Sequence, residues 1–260
     1  MSVFKSEQFR NLHTNNPPLF LVNIWDAASA SIVQASGSTA LATSSASLAW
    51  ANGYADGNAL PRAVLLRAID SIVRISKVPL TVDIENGYSD SPDQVAELVL
   101  QLAERGVAGV NIEDGCDPAV LLVKKINAIR SQLGTGSIFI NARTDVYLQG
   151  LVTRKRQLNE SIERLNNYVA CGADGVFVPA MTSPSDIASV SSLVAAPLNV
   201  MASSDSDNLD ELINAGANRI SLGPAPFIDA YSTLLETSKK PLNTTSRNHA
   251  LTYDALNEMF

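Results

Sequence analysis

Short apolar runs recur along the chain, and between them the apolar residues fall three and four positions apart. Eight runs are rich in Val, Ile and Leu and lack the alternation of a half-exposed strand, which is typical of parallel strands buried on both faces. The predicted strands are residues 19–23, 40–43, 80–83, 109–112, 139–143, 175–178, 198–201 and 219–222. The intervening segments predict helices. Two of these begin with Ser91-Pro92 and Ser183-Pro184, in which serine suits the N-cap and proline the first helical position.

This alternation of strands and helices predicts an α/β fold, and eight units favour a closed (β/α)8 barrel of the TIM type. A doubly wound open sheet is the alternative, and it fits less well because no glycine-rich loop follows the first strand. The length suits one barrel, so we predict a single domain over residues 1–260. Residues 224–260 are predicted to form its C-terminal helical extension, with a polar linker at 237–248. The last helix, 250–260, is apolar at its end and should dock on its own barrel or on a neighbouring subunit.

Charge and composition limit the classes of partner that the protein can bind. The chain has 19 Lys and Arg against 26 Asp and Glu, a net charge of −7, which argues against binding to nucleic acid. No apolar run approaches the roughly 20 residues that span a membrane, and the first residues lack a signal-peptide core. Two cysteines do not suggest a disulfide framework. We therefore expect a cytoplasmic enzyme with no membrane partner.

Acidic side chains follow the third and fourth predicted strands. Asp83 and Glu85 stand at and just beyond the third, and Glu113 stands just beyond the fourth. Because a parallel barrel brings its strand ends together on one face, we predict that these three residues bind Mg²⁺, or alternatively Mn²⁺. The alternative is that each caps a helix or pairs with an arginine. Zinc fits poorly because the two histidines, His13 and His249, lie outside this set.

An arginine ends the fifth predicted strand. The planar guanidinium of Arg143 suits bidentate binding of a substrate carboxylate or phosphonate, so we predict that it is both a catalytic and a substrate-binding residue. The alternative is a structural salt bridge to Asp145 or Glu113.

Smaller polar residues follow the second predicted strand. Asp56 could hold a water or the substrate, or could simply form an Asp-Gly turn. The backbone N–H groups near Ser45 could bind an oxyanion, although small residues there are also common in packing. With Mg²⁺ and Arg143 gripping a 2-oxo acid, these amides would stabilise the enolate formed when a bond to carbon 3 breaks.

Six motifs in order resemble the isocitrate lyase/phosphoenolpyruvate mutase superfamily, from about residue 19 to residue 224. They are Asn23-Ile-Trp-Asp26-Ala27, Thr43-Ser44-Ser45, Gly53-Tyr-Ala-Asp56-Gly57, Asp83-Ile-Glu85-Asn-Gly87, Gly109-Val-Asn-Ile-Glu113-Asp114 and Ala142-Arg143-Thr144-Asp145. The resemblance implies a Mg²⁺-dependent barrel with pyruvate-enolate chemistry. It also implies a homo-oligomer, a dimer or tetramer, whose C-terminal helices swap between subunits.

The resemblance also implies roles for individual residues. Asp56, Asp83, Glu85 and Glu113 would serve the metal and its waters, and Arg143 would bind the substrate carboxylate. Ser44, Ser45 and Ala46 would form the pocket for the enolate oxygen. Apart from the resemblance, we predict that Trp25 and Asn199 also bind substrate, although Asn199 on the seventh strand could equally serve packing.

One departure narrows the chemistry. The lyases of this superfamily carry a Lys-Arg-Cys-Gly-His loop soon after the fourth-strand acid, where this chain has Gly115-Cys116-Asp117-Pro118-Ala119. Cys116 lies too close to Glu113 to be the lyase cysteine, and we expect it to be at least partly buried. Pro179 also stands where the lyases tend to have an acid. The chain therefore resembles a short branch of the family.

For this branch we favour a Mg²⁺-dependent lyase that decarboxylates oxaloacetate or cleaves a related small 2-oxo acid. A phosphonopyruvate mutase or hydrolase is the first alternative. Its nearest extra basic groups, Lys124 and Lys125, read as the solvated face of a helix. A non-catalytic barrel that binds a small acid is the second alternative. A Schiff-base aldolase is discounted because no predicted strand ends in lysine.

Overall fold

The computed structural model describes residues 2–14, 17–202, 209–239 and 259. These residues contain nine strands: β1 Leu19–Leu21, β2 Asn23–Ile24, β3 Leu41–Thr43, β4 Leu80–Asp83, β5 Gly109–Glu113, β6 Phe139–Arg143, β7 Gly175–Phe177, β8 Leu198–Met201 and β9 Arg219–Ser221. The α-helices are α1 Ser2–Leu12, α2 Ala27–Ala35, α3 Ser45–Ala51, α4 Arg62–Ile75, α5 Pro92–Glu104, α6 Ala119–Leu133, α7 Arg154–Ala170, α8 Pro184–Leu193, α9 Leu209–Asn214 and α10 Ala225–Ser238. A π-helical turn, Val146–Gly150, follows β6.

All neighbouring strands are parallel, in the order β1-β9-β8-β7-β6-β5-β4-β3-β2. The strand β1 pairs with β9 and β2 pairs with β3, and a single residue, Val22, separates β1 from β2. Residues 19–24 therefore join the two ends of the sheet and close the barrel. The predicted TIM-type barrel is confirmed. The predicted first strand is divided in two because its halves pair with different neighbours.

An apolar layer between the strands and the surrounding helices forms most of the core. Helix α5 shows how the sequence builds this layer. Ser91 caps it by accepting the N–H of Gln94, Pro92 is its first residue, and an apolar stripe at helical spacing is fully buried. The members of that stripe are Val95, Leu98, Val99 and Leu102.

Helix α1 packs against the amino-terminal end of the barrel. The ring of Phe9 meets Phe139 edge-on at 5.4 Å, and His13 stacks on Phe139 at 4.2 Å. Burial lowers the pKa of His13 to about 3, so this histidine is neutral. Together with Phe9 and Phe139 it forms an apolar plug. The plug covers the end of the barrel opposite the strand ends that carry the predicted site.

The helix α10 lies within the predicted C-terminal extension. It buries Phe227 but exposes four large apolar side chains, Ile228, Tyr231, Leu234 and Leu235. The linker was predicted to begin at residue 237, but α10 continues to Ser238, so that boundary was wrong. The linker from residue 240 onward and the predicted helix 250–260, apart from residue 259, lie outside the described residues. Within the described residues no helix is both long and apolar enough to cross a membrane.

Candidate active site

A cavity of about 190 Å³ opens at the carboxyl ends of the strands. Six of the predicted site residues line it: Ser44, Ser45, Ala46, Asp56, Asp83 and Arg143. A larger groove of about 630 Å³ runs beside the loops that follow α1 and α2. None of the described residues that line this groove has a titratable side chain, so it lacks the groups for acid–base or metal chemistry.

The three predicted metal ligands lie close together but face different partners. Asp83 is buried at the end of β4 and accepts the backbone N–H of Glu85 at 3.1 Å. The carboxylate of Glu85 accepts the backbone N–H of Asn58 and also lies beside the hydroxyl of Tyr88. Glu113 instead pairs with Arg143. Glu85 also has a left-handed backbone (φ 51°), which is uncommon for a residue with a side chain.

Burial makes this cluster costly to ionise without a cation. It raises the pKa of Asp83, against the opposing effect of Arg143, and it raises the pKa of Glu85. It raises the pKa of Glu113 to about 9, again despite Arg143. Asp56 and Asp145 add further negative charge to the same region.

These residues fit a hydrated divalent cation better than a closed metal cage. Within the described ranges, no three acidic, histidine or cysteine side chains are grouped so that they could hold a metal ion together. The structure thus does not gather Asp83, Glu85 and Glu113 into one set of direct ligands, because Glu113 turns to Arg143 and Glu85 turns to Asn58. Mg²⁺ usually keeps several waters and takes only one or two carboxylates. Asp83 and Asp56, which both line the cavity, suit that arrangement.

Arg143 forms the salt bridges that were the alternative to substrate binding, yet it still lines the cavity. Its Nη1 lies 2.6 Å from Oε2 of Glu113, and its Nε and Nη2 bind the two carboxylate oxygens of Asp145 at 2.5 and 2.9 Å. The ring of Phe177 lies under the guanidinium at 5.7 Å. A guanidinium has more N–H donors than these three contacts use, so Arg143 is both fixed in plane and able to bind a ligand.

The buried carboxylate of Asp114 holds Arg143 in place indirectly, through Asp145. Asp145 donates its backbone N–H to Oδ1 of Asp114 at 2.9 Å, and Thr144 donates its hydroxyl to Oδ2 at 2.8 Å. Two side chains of α7, Arg164 and Tyr168, also donate to Oδ2, at 3.0 and 2.6 Å. The sequence analysis assigned no role to Asp114, which connects α7 to the segment that carries Arg143.

The residues predicted for the enolate pocket lie where α3 begins. Ser44 is the N-cap of this helix, and its hydroxyl accepts the N–H of Ser47 at 3.3 Å. The backbone N–H groups of Ser45 and Ala46 belong to the first turn, where a helix offers no internal acceptor. Asp56 is exposed in the loop after α3 and borders the same cavity.

Two predicted substrate-binding residues are not among the described residues that line the cavity. Trp25 packs edge-on against Phe227 of α10, with ring centroids 5.1 Å apart. Asn199 is buried in the barrel, where its Oδ1 accepts the hydroxyl of Ser221 at 3.2 Å. Its Nδ2 has no partner among the described residues.

Two loop and helix residues differ from their expected exposure. Lys125 is buried, and its Nζ donates to the backbone carbonyl of Asn86 at 2.8 Å, so the expectation that it lies on a solvated helix face was wrong. Lys124 is exposed as expected. Cys116 is exposed, which corrects the expectation of a buried cysteine. Its loop turns outward because Asp114 takes the buried position two residues earlier.

The sequence analysis also missed polar residues that lie inside the barrel. Asn111 lines the cavity, and its Oδ1 accepts Nδ2 of Asn141 at 2.9 Å and Nη2 of Arg219 at 3.3 Å. Arg219 is fully buried, and burial lowers its pKa to about 9. A polar residue within a predicted buried strand was the one available signal for this layer.

Comparisons with known proteins agree on the family to which the chain is similar. A family model described as phosphoenolpyruvate phosphomutase matches residues 9–242. The chain is similar to an uncharacterized protein of Mycobacterium tuberculosis (strain ATCC 25618 / H37Rv), with 34% identity over 84% of this chain and 83% of that protein. It is also similar to the 2-methylisocitrate lyase of Halalkalibacterium halodurans, with 28% identity over 74% of this chain and 66% of that enzyme.

A solved structure agrees with this result. The crystal structure of a putative phosphonomutase from Burkholderia cenocepacia J2315 superposes with a TM-score of 0.85 and 38% identity. The match covers 91% of this chain and 99% of that one.

Proposed function

The chain belongs to the phosphoenolpyruvate phosphomutase family, within the isocitrate lyase/phosphoenolpyruvate mutase superfamily of lyases and mutases, and on this premise we propose that it is a Mg²⁺-dependent lyase of a small 2-oxo acid. The favoured reaction breaks a carbon–carbon bond at carbon 3, as in the decarboxylation of oxaloacetate to pyruvate. A relative in Bradyrhizobium sp. (strain BTAi1 / ATCC BAA-1182), 26% identical over 64% of this chain and 60% of its own length, is named oxaloacetate decarboxylase.

The observation that carries this proposal is the orientation of Arg143 within the cavity. Its guanidinium is held by Glu113 and Asp145, and it lines the same cavity as Asp83 and the start of α3. A 2-oxo acid has a carboxylate beside a carbonyl, so Arg143 binds the carboxylate while the acidic side of the cavity supports the cation. Mg²⁺, when bound, supplies positive charge that polarises the substrate carbonyl. A phosphonopyruvate hydrolase of this fold has been solved with oxalate and Mg²⁺.

The remaining roles follow from where charge develops. When the bond between carbons 3 and 4 breaks, its electron pair stays on carbon 3 and delocalises into the enolate, and carbon 4 leaves as CO₂. The N–H groups of Ser45 and Ala46 then donate to the enolate oxygen. Asp56 is exposed at the mouth of the cavity and delivers a proton to carbon 3 through a water molecule.

The test is pyruvate formation from oxaloacetate, corrected for the spontaneous reaction in enzyme-free Mg²⁺ buffer. We expect saturable turnover that disappears with a chelator and falls by about 100-fold in Arg143→Ala, since a buried charge pair is lost. The matched control is Arg105→Ala, which removes a surface ion pair with Asp70 and should leave turnover unchanged. Absence of turnover with Mg²⁺ still bound would favour the non-catalytic small-acid-binding barrel instead.

Phosphorus–carbon chemistry is the second candidate, and the name of the Burkholderia structure favours it. A phosphonyl group carries two negative charges near neutral pH and needs cationic partners. Arg143 is the one cationic side chain among the described residues that line the cavity. The Nζ of Lys125 already donates to the backbone carbonyl of Asn86. Release of inorganic phosphate from phosphonopyruvate, or its conversion to phosphoenolpyruvate, would establish this candidate.

We also propose that the protein is a homo-oligomer, a dimer or tetramer, assembled through α10. The helix exposes Ile228, Tyr231, Leu234 and Leu235. Apolar residues exposed singly are common on protein surfaces, whereas several together on one helix indicate an interaction surface. The expected partners are thus a small carboxylic acid in the cavity and further copies of this chain, with helices exchanged between subunits.

A further inference from the structure

A buried arginine crosses the inside of the barrel beneath the cavity. Arg219 begins β9, is fully buried, and donates from Nη2 to Oδ1 of Asn111 on β5 at 3.3 Å. In the order of the strands, β8, β7 and β6 stand between β9 and β5, so this hydrogen bond joins opposite walls of the closed barrel. The guanidinium also lies over the ring of Phe9 at 6.0 Å, against the apolar plug. The steps proposed above give Arg219 no role.

A guanidinium in this position is costly for the folded protein. Its Nε and Nη1 are buried and have no hydrogen-bond partner among the described residues. Removing a charged group from water without pairing it opposes folding, and an apolar side chain would fill the same space without that cost. The benefit of the arginine must therefore lie in the side chain to which it donates, Asn111, which lines the cavity.

Arg219 determines which way the amide of Asn111 faces. The same Oδ1 also accepts Nδ2 of Asn141 at 2.9 Å. Two neighbouring amides can bind each other in either direction, because each has an NH2 group and an oxygen. An arginine has no acceptor, so the presence of Arg219 permits only the direction in which the oxygen of Asn111 turns into the barrel. The Nδ2 of Asn111 then faces away from Arg219, and it has no hydrogen-bond partner among the described residues.

We propose that Arg219 is a positioning residue, which fixes Asn111 so that its NH2 group donates to an oxygen of the acid bound in the cavity. The inference rests on the proposed function for the position of that acid. Asn111 is paired with Asp83 in the register of the sheet, and Arg143 ends the neighbouring strand, so the head group of the acid lies within reach of this amide. A reversed amide would instead turn its oxygen toward the oxygens of the acid and weaken binding.

Calorimetric titration with oxalate in the presence of Mg²⁺ tests this role without turnover, because oxalate has the paired oxygens of a 2-oxo acid head group. Arg219→Met removes every donor, and we expect it to weaken oxalate binding about tenfold, since a hydrogen bond to a charged group is lost. Arg219→Lys still only donates, so its affinity should stay within about threefold of the wild type. The affinity for Mg²⁺ without oxalate should not change in either variant.

Arg130→Met is the matched control. The side chain of Arg130 is only 9% exposed, but it donates to the backbone carbonyls of Gly172 and Ile138 and pairs with Asp174, at the end of the barrel away from the cavity. Its loss should lower the melting temperature and leave oxalate binding unchanged. The melting temperature of Arg219→Met should fall less, because a buried charge that opposes folding is removed. This opposite pattern distinguishes positioning from a structural role.

A double-mutant cycle tests whether Arg219 acts through Asn111. Asn111→Ala should weaken oxalate binding by a similar factor, and adding Arg219→Met should weaken it no further. A further tenfold loss in the double variant would overturn the proposal, as would unchanged oxalate affinity in Arg219→Met or an equal loss in Arg219→Lys. A matching loss of Mg²⁺ affinity without oxalate would also overturn it, because Arg219 would then act through the metal-binding residues. So would the absence of oxalate binding by the wild type.

Turnover separates this inference from the proposed function. If oxaloacetate is not decarboxylated but oxalate binding depends on Arg219 through Asn111, the proposed activity fails and the positioning role stands. If oxaloacetate reacts, and Arg219→Met changes neither the oxalate affinity nor the KM, the positioning role fails alone.

Discussion

Replacing Tyr168 by Phe removes one hydroxyl from the network that ends at Arg143. The hydroxyl donates to Oδ2 of Asp114 at 2.6 Å, and the ring is fully buried, so Phe keeps the packing and isolates the hydrogen bond. A hydrogen bond to a charged group contributes about 1.5–3 kcal/mol. Three other donors remain on Asp114, so we expect a loss near the lower end, about 1.5 kcal/mol. For a domain of this size the melting temperature falls by about 3–6 °C.

The same substitution should also weaken substrate binding. Asp114 holds the backbone of Asp145, whose carboxylate fixes the plane of Arg143. A looser Arg143 binds the substrate carboxylate less well in the ground state and the transition state alike, so KM should rise several-fold while kcat changes less. Steady-state kinetics with oxaloacetate and thermal denaturation measure the two effects.

Tyr147 provides the matched control for this experiment. Its hydroxyl also donates to a carboxylate, but to that of Asp186, at 2.9 Å, and the residue is only half-buried. Tyr147→Phe should therefore cost about 1 kcal/mol or less and leave KM unchanged. Equal thermal shifts in the two variants, together with an unchanged KM in Tyr168→Phe, would refute the idea that α7 positions Arg143.

Three further predictions concern the metal-binding loop, the acidic cluster and the assembly. Lys125→Met should weaken Mg²⁺ binding about tenfold, because Lys125 holds the loop that follows β4 by its hydrogen bond to Asn86. Lys124→Met, on the exposed side of the helix, should leave Mg²⁺ binding unchanged. Calorimetric titration with Mg²⁺ measures both affinities. Burial raises the pKa of Glu113 from its ordinary value of 4.5 to about 9 in the folded protein. Between these values the metal-free folded state holds a proton that the unfolded chain has lost, so stability falls as pH rises, and Glu113→Gln should flatten this fall in denaturant titrations. Leu234→Glu on α10 should dissociate the oligomer in light-scattering measurements, and Leu193→Glu should not; equal masses would contradict assembly through α10.

The strand positions could be predicted because burial on both faces leaves a clear apolar signature. The strands β4, β6 and β8 have the predicted bounds, and the others differ by one or two residues at an end. The division of the first strand at Val22 was not predictable, because it depends on which neighbour each half meets when the sheet closes. Pairing partners of this kind are a property of the closed barrel, and the local pattern of apolar residues does not contain them.

The candidate site was predictable as a cluster but not in its contacts. Strand ends indicate which side chains share a face, and Asp83 and Arg143 do line one cavity. The sequence analysis gave a salt bridge between Arg143 and Glu113 only as an alternative, since the choice depends on side-chain geometry across two strands. It could not show that Lys125 is buried, because its helical position lies next to the exposed Lys124 and only the loop at Asn86 gives it an acceptor.

The closure of the barrel by Asn23 has a consequence for synthesis of the chain. Its Oδ1 accepts the backbone N–H groups of Leu222 and Gly223, at 3.0 and 2.9 Å, across about 200 positions of sequence. A nascent chain that has not yet reached β9 cannot make this contact, and the edges of β8 and of the first strand then remain unpaired. Such edges invite pairing with other chains. Chaperone dependence should therefore be greatest late in translation, just before the last strand is available.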